Sequence, residues 1–360
     1  MRIIHLNFGL ETGGTETMLV DILNEQCQFV DLHLVIINAT YNPALLARID
    51  QRVQVHLIDR PAGSRNPGYL VKLNRLLWRL KPDVIHCHNP KAVTLLRQSC
   101  RKYLTVHDVT VPTTYFRQYN RLFAISSIVQ TDIKQRSGLD AAVIYNGVPA
   151  ATIRQKYPPY SNGPFRMVQI SRLMHQKKGQ HILLHALNQL ITEFGLDTIH
   201  LDFIGEGDSW AILKNMVTEL KLEPYVSFLG LKDRAYIYQQ LAEYDLLVQP
   251  SLYEGFGLTV VEAMAAGVPV LVSDIDGPLE IINTGTFGTS FTTGNADDCA
   301  DHIRTIISES TTDHFQQKIY QAKVHARSAF TVQRTAQEYL DAYALPDNVP
   351  FISFLSAKTV

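Results

Sequence analysis

Residues 249–274, QPSLYEGFGLTVVEAMAAGVPVLVSD, decide the fold. The apolar run Asp245–Val248 reads as a short buried strand that stops at Pro250. Ser251–Gly257 then carries two glycines around Phe256, a loop whose backbone can come close to a ligand. Leu258–Ala266 is rich in helix formers, Gly267 and Pro269 end the helix, and Val268–Val272 resumes as a buried strand. Strand, loop, helix and strand make a βαβ unit. In open α/β sheets such a loop lies at the carboxyl ends of the parallel strands, where ligands bind.

Two carboxylates stand in this unit, Glu254 in the loop and Glu262 just over one turn into the helix. An acid near a helix N-terminus can be a dipole-stabilised surface residue and nothing more. The combination asks for more. Free helix amides suit a phosphate, carboxylates suit sugar hydroxyls, and a nucleotide-sugar offers both. The segment EGFGLTVVEAMAAGVPV resembles the E-x7-E motif of the retaining glycosyltransferases of family 4, which have the GT-B fold. That resemblance implies that Glu254 contacts the donor sugar and Glu262 the ribose hydroxyls. It places the amides of Gly255, Phe256, Gly257 and Leu258 against sugar and diphosphate.

A chain of 360 residues accommodates two α/β domains, each with its own core. No apolar run approaches the length of a membrane span, and the chain enters a strand (RIIHLN) directly after Met1, so a cytoplasmic protein without a signal peptide is expected. Cys27, Cys87, Cys100 and Cys299 lack paired spacing, as expected of reduced thiols. The net charge of −1 conceals an asymmetry, with 17 Lys and Arg against 11 Asp and Glu in residues 1–150. Between Arg65 and Lys102 there are nine basic residues and the single acid Asp83. The first half should therefore present a positive surface.

Taken in order, Arg2–Leu6 reads as the first strand, Phe8–Glu16 as a loop containing Gly13 and Gly14, and Thr17–Gln26 as a helix. This is a generic anion site. It is neither the dinucleotide fingerprint nor a P-loop, which disfavours an NAD-dependent enzyme. The loop is similar to the family's N-terminal glycine loop. Tyr69–Leu80 is amphipathic, with Lys72, Arg75 and Arg79 at helical spacing beside Trp78. A helix packed on the sheet is the simple reading. With Lys91, Arg97, Arg101 and Lys102 it also offers docking onto anionic lipid. No nucleic-acid motif accompanies these charges.

His86, Cys87 and His88 end a strand that begins at Asp83. Adjacent strand residues point to opposite faces and no zinc spacing accompanies them, so strand-end packing is expected and no metal. His107 ends the strand Leu104–Asp108 and resembles the family histidine beside the donor sugar. Val143–Val148 should be the last strand of the first domain, with Asn146-Gly147 similar to the family's turn there and Pro149 in place of the usual acid. Tyr157–Pro164 reads as the linker.

The second domain opens with the strand Phe165–Ile170 and the loop Ser171–Gly179. Arg172 and Lys178 are six residues apart, and two cations at a strand–loop–helix junction suit a diphosphate. The pair is similar to the family's R-x5-K pair, with Lys177 the less favoured neighbour and Ser171 where glycine is commoner. Gly205, Glu206, Gly207 and Asp208 follow a strand, and Val226–Gly230, with Leu229, forms a second edge. In the family these two edges flank the nucleobase through backbone groups. Asp274 and Asp276 form a D-x-D pair, better read as a turn than as a metal site. Thr331–Leu345 should be a final helix, which in GT-B proteins returns to the first domain.

The expected architecture is GT-B, two Rossmann-like domains facing each other across a cleft. The first is expected over residues 1–156, joined by the helix within 331–360, and binds the acceptor; the second, over 165–330, binds the nucleotide-sugar. The resemblance implies transfer of a sugar, first of all from a UDP-sugar, to an acceptor hydroxyl with retention and without a divalent metal or cofactor. The acceptor would be a glycan or lipid-linked glycan of a bacterial surface polysaccharide or lipopolysaccharide. A nucleotide-sugar epimerase of the same fold and a non-catalytic subunit of a glycosyltransferase complex are the competing readings.

Overall fold

Apolar runs of four to eight residues, buried on both faces, are what parallel strands covered by helices require, and the computed structural model shows two such sheets. It describes residues 1–11, 13–157, 163–347, 349 and 351. Most of the linker read at 157–164 and the residues after 351 lie outside the described residues. The chain divides into one unit of Met1–Val148 with Phe330–Val360 and a second of Pro149–Ala329.

The first unit holds seven strands: β1 (Arg2–Asn7), β2 (Asp31–Asn38), β3 (Gln54–Arg60), β4 (Val84–Cys87), β5 (Arg101–Val106), β6 (Arg121–Ala124) and β7 (Ala142–Val143). They run in the order β3-β2-β1-β4-β5-β6-β7, every pair parallel. Ile3, Ile4 and Leu6 of β1 are fully buried. The strand order reverses between β1 and β4, the kind of point at whose carboxyl edge such sheets bind ligands. Register across it sets His5 opposite His86.

The second unit holds β8 (Phe165–Ile170), β9 (Ile199–Ile204), β10 (Val226–Phe228), β11 (Leu246–Gln249), β12 (Val270–Ser273) and β13 (Thr289–Phe291). Their order is β10-β9-β8-β11-β12-β13, again all parallel. Here the order reverses between β8 and β11. The core beneath joins Leu183, Leu187 and Leu190 of the Gln180–Thr192 helix to Leu201, Phe203, Leu246 and Leu271 of the strands.

Local chemistry explains the helix ends. Asn66 caps the Pro67–Leu80 helix through the N–H of Gly68, with Pro67 pre-set at the first position. Leu73 and Leu77 are buried, whereas Trp78 stands 68% exposed. Ser126 caps the Ser127–Ser137 helix, which ends at Gly138 with φ +72°. Thr331 caps the Val332–Ala344 helix, which packs on the Gly14–Gln26 helix of the first unit.

Three sequence expectations shift. The first helix begins at Gly14 rather than Thr17, because Gly13 takes the cap position and Thr17 Oγ1 donates back to its carbonyl at 2.6 Å. The strand expected over Val143–Val148 ends at Val143. Val148 instead bridges Thr331, and a Cβ on Gly147 would stand 2.2 Å from the Thr331 carbonyl oxygen. Only glycine lets these two backbones pass. Finally, residues 149–156, read with the first domain, belong to the second unit, where the N–H groups of Arg154 and Lys156 donate to Tyr238 and Ala266.

Candidate active site

The site in the second unit is built on the carboxyl ends of β9, β8 and β11, adjacent strands whose loops are joined by their backbones. The Leu252 N–H donates to the Lys177 carbonyl at 2.8 Å, and the Leu173 N–H donates to the Glu206 carbonyl at 3.0 Å. Gly179, with φ +67°, lies against Pro250 so closely that a Cβ would stand 1.8 Å from its carbonyl oxygen. Gly205, with φ +139°, meets the Ser171 carbonyl in the same way, at 2.0 Å. These glycines are what allow three loops to share one edge.

Within this edge Lys178 Nζ donates to Glu254 Oε2. Gln249 Nε2 donates to the same oxygen at 3.2 Å, and Thr259 Oγ1 donates to Gln249 Oε1 at 3.2 Å. Gln169 Nε2 holds the Lys178 carbonyl at 2.7 Å, and Gln180 Nε2 donates to Ser171 Oγ and to the Arg172 carbonyl, both at 3.0 Å. The Lys178 and Glu254 side chains are 19% and 17% exposed, so both stay within reach of a ligand. Arg172, in the same loop as Lys178, is exposed, and Lys177 lies over the Tyr253 ring at 4.7 Å.

Gly257, φ +124°, stands before the Leu258–Ala266 helix, and no side chain caps that end. The amides of the first turn are therefore free of a side-chain cap. Gly255 and Phe256 are buried in the approach to it. Glu262 lies deeper. Its carboxylate is 4% exposed, 3.3 Å from Arg234 Nη2, and it accepts from Tyr238 OH at 3.4 Å. The structure thus separates the two acids of the motif, Glu254 at the edge and Glu262 in a buried ion pair. Glu206 Oε1 accepts from the N–H of Leu231 at 3.5 Å, and the Leu229 N–H donates to the Phe203 carbonyl at 2.9 Å, so the loops after β9 and β10 are tied together. Asp274 accepts from Thr293 N–H at 2.7 Å and Asp276 opens a helix, so the D-x-D pair closes a turn.

In the first unit Gly13 and Gly14 open the first helix at the end of β1, and His107 follows β5. Sequence spacing showed no companion for His86 and His88, and the structure supplies one. Residues two apart on a strand share a face, and register adds His5 from β1. The imidazole nitrogens of His5, His86 and His88 gather within 4.8 Å of one another. Burial pushes the His5 and His107 pKa values down to about 4 and that of His88 well below the usual histidine value. The signal was present as alternation, H-x-H running off the end of β4 and a histidine inside β1, but pairing across a parallel sheet is invisible to local spacing. Gln169, Gln180 and Arg234 were missed for the same reason.

Residues 151–324 match the model of the family described as glycosyl transferases group 1, and residues 12–152 that of glycosyltransferase family 4. The lipopolysaccharide 1,6-galactosyltransferase of Salmonella typhimurium is 30% identical over 68% of this chain and 71% of its own. A glycogen synthase of Mycobacterium tuberculosis is 28% identical over 74% of this chain and 70% of its own. Among solved structures, Anabaena HepE in complex with UDP and glucose is 25% identical, with a TM-score of 0.79 over 95% of this chain and 99% of that one.

Proposed function

The chain belongs to the glycosyltransferases of group 1 and family 4, with the two parallel α/β sheets of the GT-B fold, and on that premise we propose that it is a retaining, metal-independent enzyme. It transfers a sugar from a nucleoside-diphosphate sugar, a UDP-sugar first, to an acceptor hydroxyl. The observation that carries this is the joined edge, where Arg172, Lys178, Glu254 and the uncapped Leu258–Ala266 helix stand on two loops bonded to each other. The complex of HepE with UDP and glucose supports the choice of donor.

The bond from the anomeric carbon to the diphosphate oxygen breaks as a new bond forms to the acceptor oxygen. The acceptor proton passes to the departing phosphate. Negative charge grows on that phosphate, and Arg172, Lys178 and the helix amides stabilise it, each charged hydrogen bond contributing about 1.5–3 kcal/mol. Glu254 orients the sugar through its hydroxyls and Glu262 serves the ribose, while in the first unit Gly13 and Gly14 offer backbone amides to an anion and His107 offers a ring nitrogen to a sugar hydroxyl.

The acceptor is a glycan or lipid-linked glycan of a bacterial surface polysaccharide or lipopolysaccharide, a reading supported by the Salmonella relative. Among the described residues no helix is long and apolar enough to cross a membrane. The Pro67–Leu80 helix presents Val71 and Trp78, 65% and 68% exposed, beside the exposed Arg75 and Arg79. This face docks on the anionic cytoplasmic surface of a membrane.

The test is product analysis by NMR. Incubation with UDP-sugars and a lipopolysaccharide-core oligosaccharide should give a glycoside with the anomeric configuration of the donor. An inverted product, or an epimerised donor without transfer, overturns the reading.

A further inference from the structure

His5, His88 and His107 form a hydrogen-bonded row in the first unit. His5 Nδ1 lies 3.0 Å from His88 Nε2, and His88 Nδ1 lies 3.1 Å from His107 Nε2. At the other end His5 Nε2 lies 2.9 Å from Gln26 Oε1.

The direction of the row is set at Gln26. Its amide nitrogen donates to the Ala336 carbonyl at 3.4 Å. A carbonyl only accepts, so the amide oxygen is the atom turned to His5. That oxygen also only accepts, so His5 carries its proton on Nε2. A neutral imidazole has one N–H, which leaves His5 Nδ1 to accept from His88 Nε2, and His88 Nδ1 to accept from His107 Nε2. The row ends at His107 Nδ1, a buried lone pair without a hydrogen-bond partner among the described residues. Burial keeps these rings neutral.

A metal among His5, His86 and His88 is the competing arrangement. Both nitrogens of His86 are already engaged, at 2.5 Å from Tyr343 OH and 2.7 Å from Thr105 Oγ1. The facing nitrogens of His5 and His88 need only the proton they share. The histidines are satisfied as a hydrogen-bonded row.

We propose that Gln26, His5 and His88 are positioning residues that lock His107 in its Nε2–H tautomer, so that Nδ1 stands ready to accept a hydrogen bond from a substrate sugar hydroxyl. The row itself is independent of the reaction; the identity of the hydroxyl rests on the sugar transfer proposed above. A ring free to exchange tautomers would present an N–H to that hydroxyl part of the time. Locking the ring removes that state before substrate binds.

The experiment has two arms. In the first, two-bond 1H–15N spectra of the 15N-histidine-labelled protein at pH 7 should show His5, His88 and His107 each as the neutral Nε2–H form. An Nδ1–H or doubly protonated His107 overturns the proposal, as does stoichiometric zinc in the purified protein. The second arm measures UDP release from UDP-galactose and UDP-glucose, with the lipopolysaccharide-core oligosaccharide as acceptor, by His88→Phe and His88→Gln. The glutamine amide can donate to His5 and accept from His107; the phenyl ring can do neither. His88→Phe should lower kcat by at least about tenfold with KM little changed, and His88→Gln should recover most of it. Equal kcat in both variants and the unaltered chain overturns the role of the row. A chain that releases no UDP counts against the proposed transferase, and the tautomer spectrum then decides the row alone.

Discussion

The N–H of Leu252 donates to the carbonyl of Lys177 at 2.8 Å, joining the loop after β11 to the loop after β8 through the main chain. The residue after Lys177 is Lys178 and the second after Leu252 is Glu254, and these two side chains meet as an ion pair. Cation and carboxylate are therefore placed by one backbone contact. That is preorganisation of the kind electrostatic catalysis needs.

Gly179→Ala should break this placement. Gly179 and Gly195 share φ +67°, but nothing stands within 4 Å of a Cβ on Gly195, whereas one on Gly179 meets Pro250 O at 1.8 Å. Gly195→Ala should cost only the left-handed backbone penalty, about 1–2 kcal/mol. Gly179→Ala should cost more than 3 kcal/mol on the order-of-magnitude scale of strain plus overlap, and should weaken nucleotide binding as well. Urea denaturation of both variants makes the comparison. Equal losses would mean that the two loops can part freely.

Lys178→Met should leave the fold intact and lower kcat about 10²–10³-fold, the usual effect of removing one charge-stabilising donor. Steady-state turnover together with circular dichroism checks both halves. A variant that turns over normally would remove Lys178 from the site.

Glu262 answers differently from Glu254. Its carboxylate faces Arg234, and the two side chains are 4% and 11% exposed. Glu262→Ala removes the carboxylate facing a nearly buried guanidinium and should cost about 3–5 kcal/mol of stability. Glu254→Ala, at the edge, should cost far less stability and much more turnover. Denaturation midpoints and kcat for the pair decide it. The reverse ranking would exchange the roles of the two acids.

The neutral histidines make stability depend on pH. His5 and His107 are held at about 4 in the folded protein against 6.5 for the free side chain. The unfolded chain binds protons through that window while the folded chain does not. Stability is therefore complete above about 6.5 and falls as pH drops toward 4, by on the order of 1.4 kcal/mol per pH unit for each ring. Asp108, beside His107, opposes the effect there. The slope of unfolding free energy between pH 6.5 and 5 should be shallower in His5→Gln than in the unaltered chain. An unchanged slope would mean that His5 protonates in the folded state.

Much of this was legible in the sequence, and unevenly. The βαβ unit around Glu254 was readable because its strand, glycine loop, helix and stop signals are contiguous, and the helix spans Leu258–Ala266 as read. Arg172 and Lys178 were readable because one short loop holds both. The row of histidines was not, since its members lie 83 and 19 positions apart, counted from 5 to 88 and 88 to 107, and only the pairing of strands gathers them. Nor was the role of Gly147, which depends on a backbone segment 184 positions away at Thr331. Local spacing reports what a strand or loop carries. It is silent on which strand lies beside it.

The most direct test of the central claim is thermal unfolding with UDP, GDP and ADP, each with EDTA present throughout. Saturation at about 100 times Kd adds about 2.7 kcal/mol of stability, enough to read as a shift in Tm. The account predicts a shift with UDP that survives EDTA and is lost in Arg172→Ala. No shift with any nucleoside diphosphate, or an undiminished shift in Arg172→Ala, would contradict a metal-independent diphosphate site at this edge.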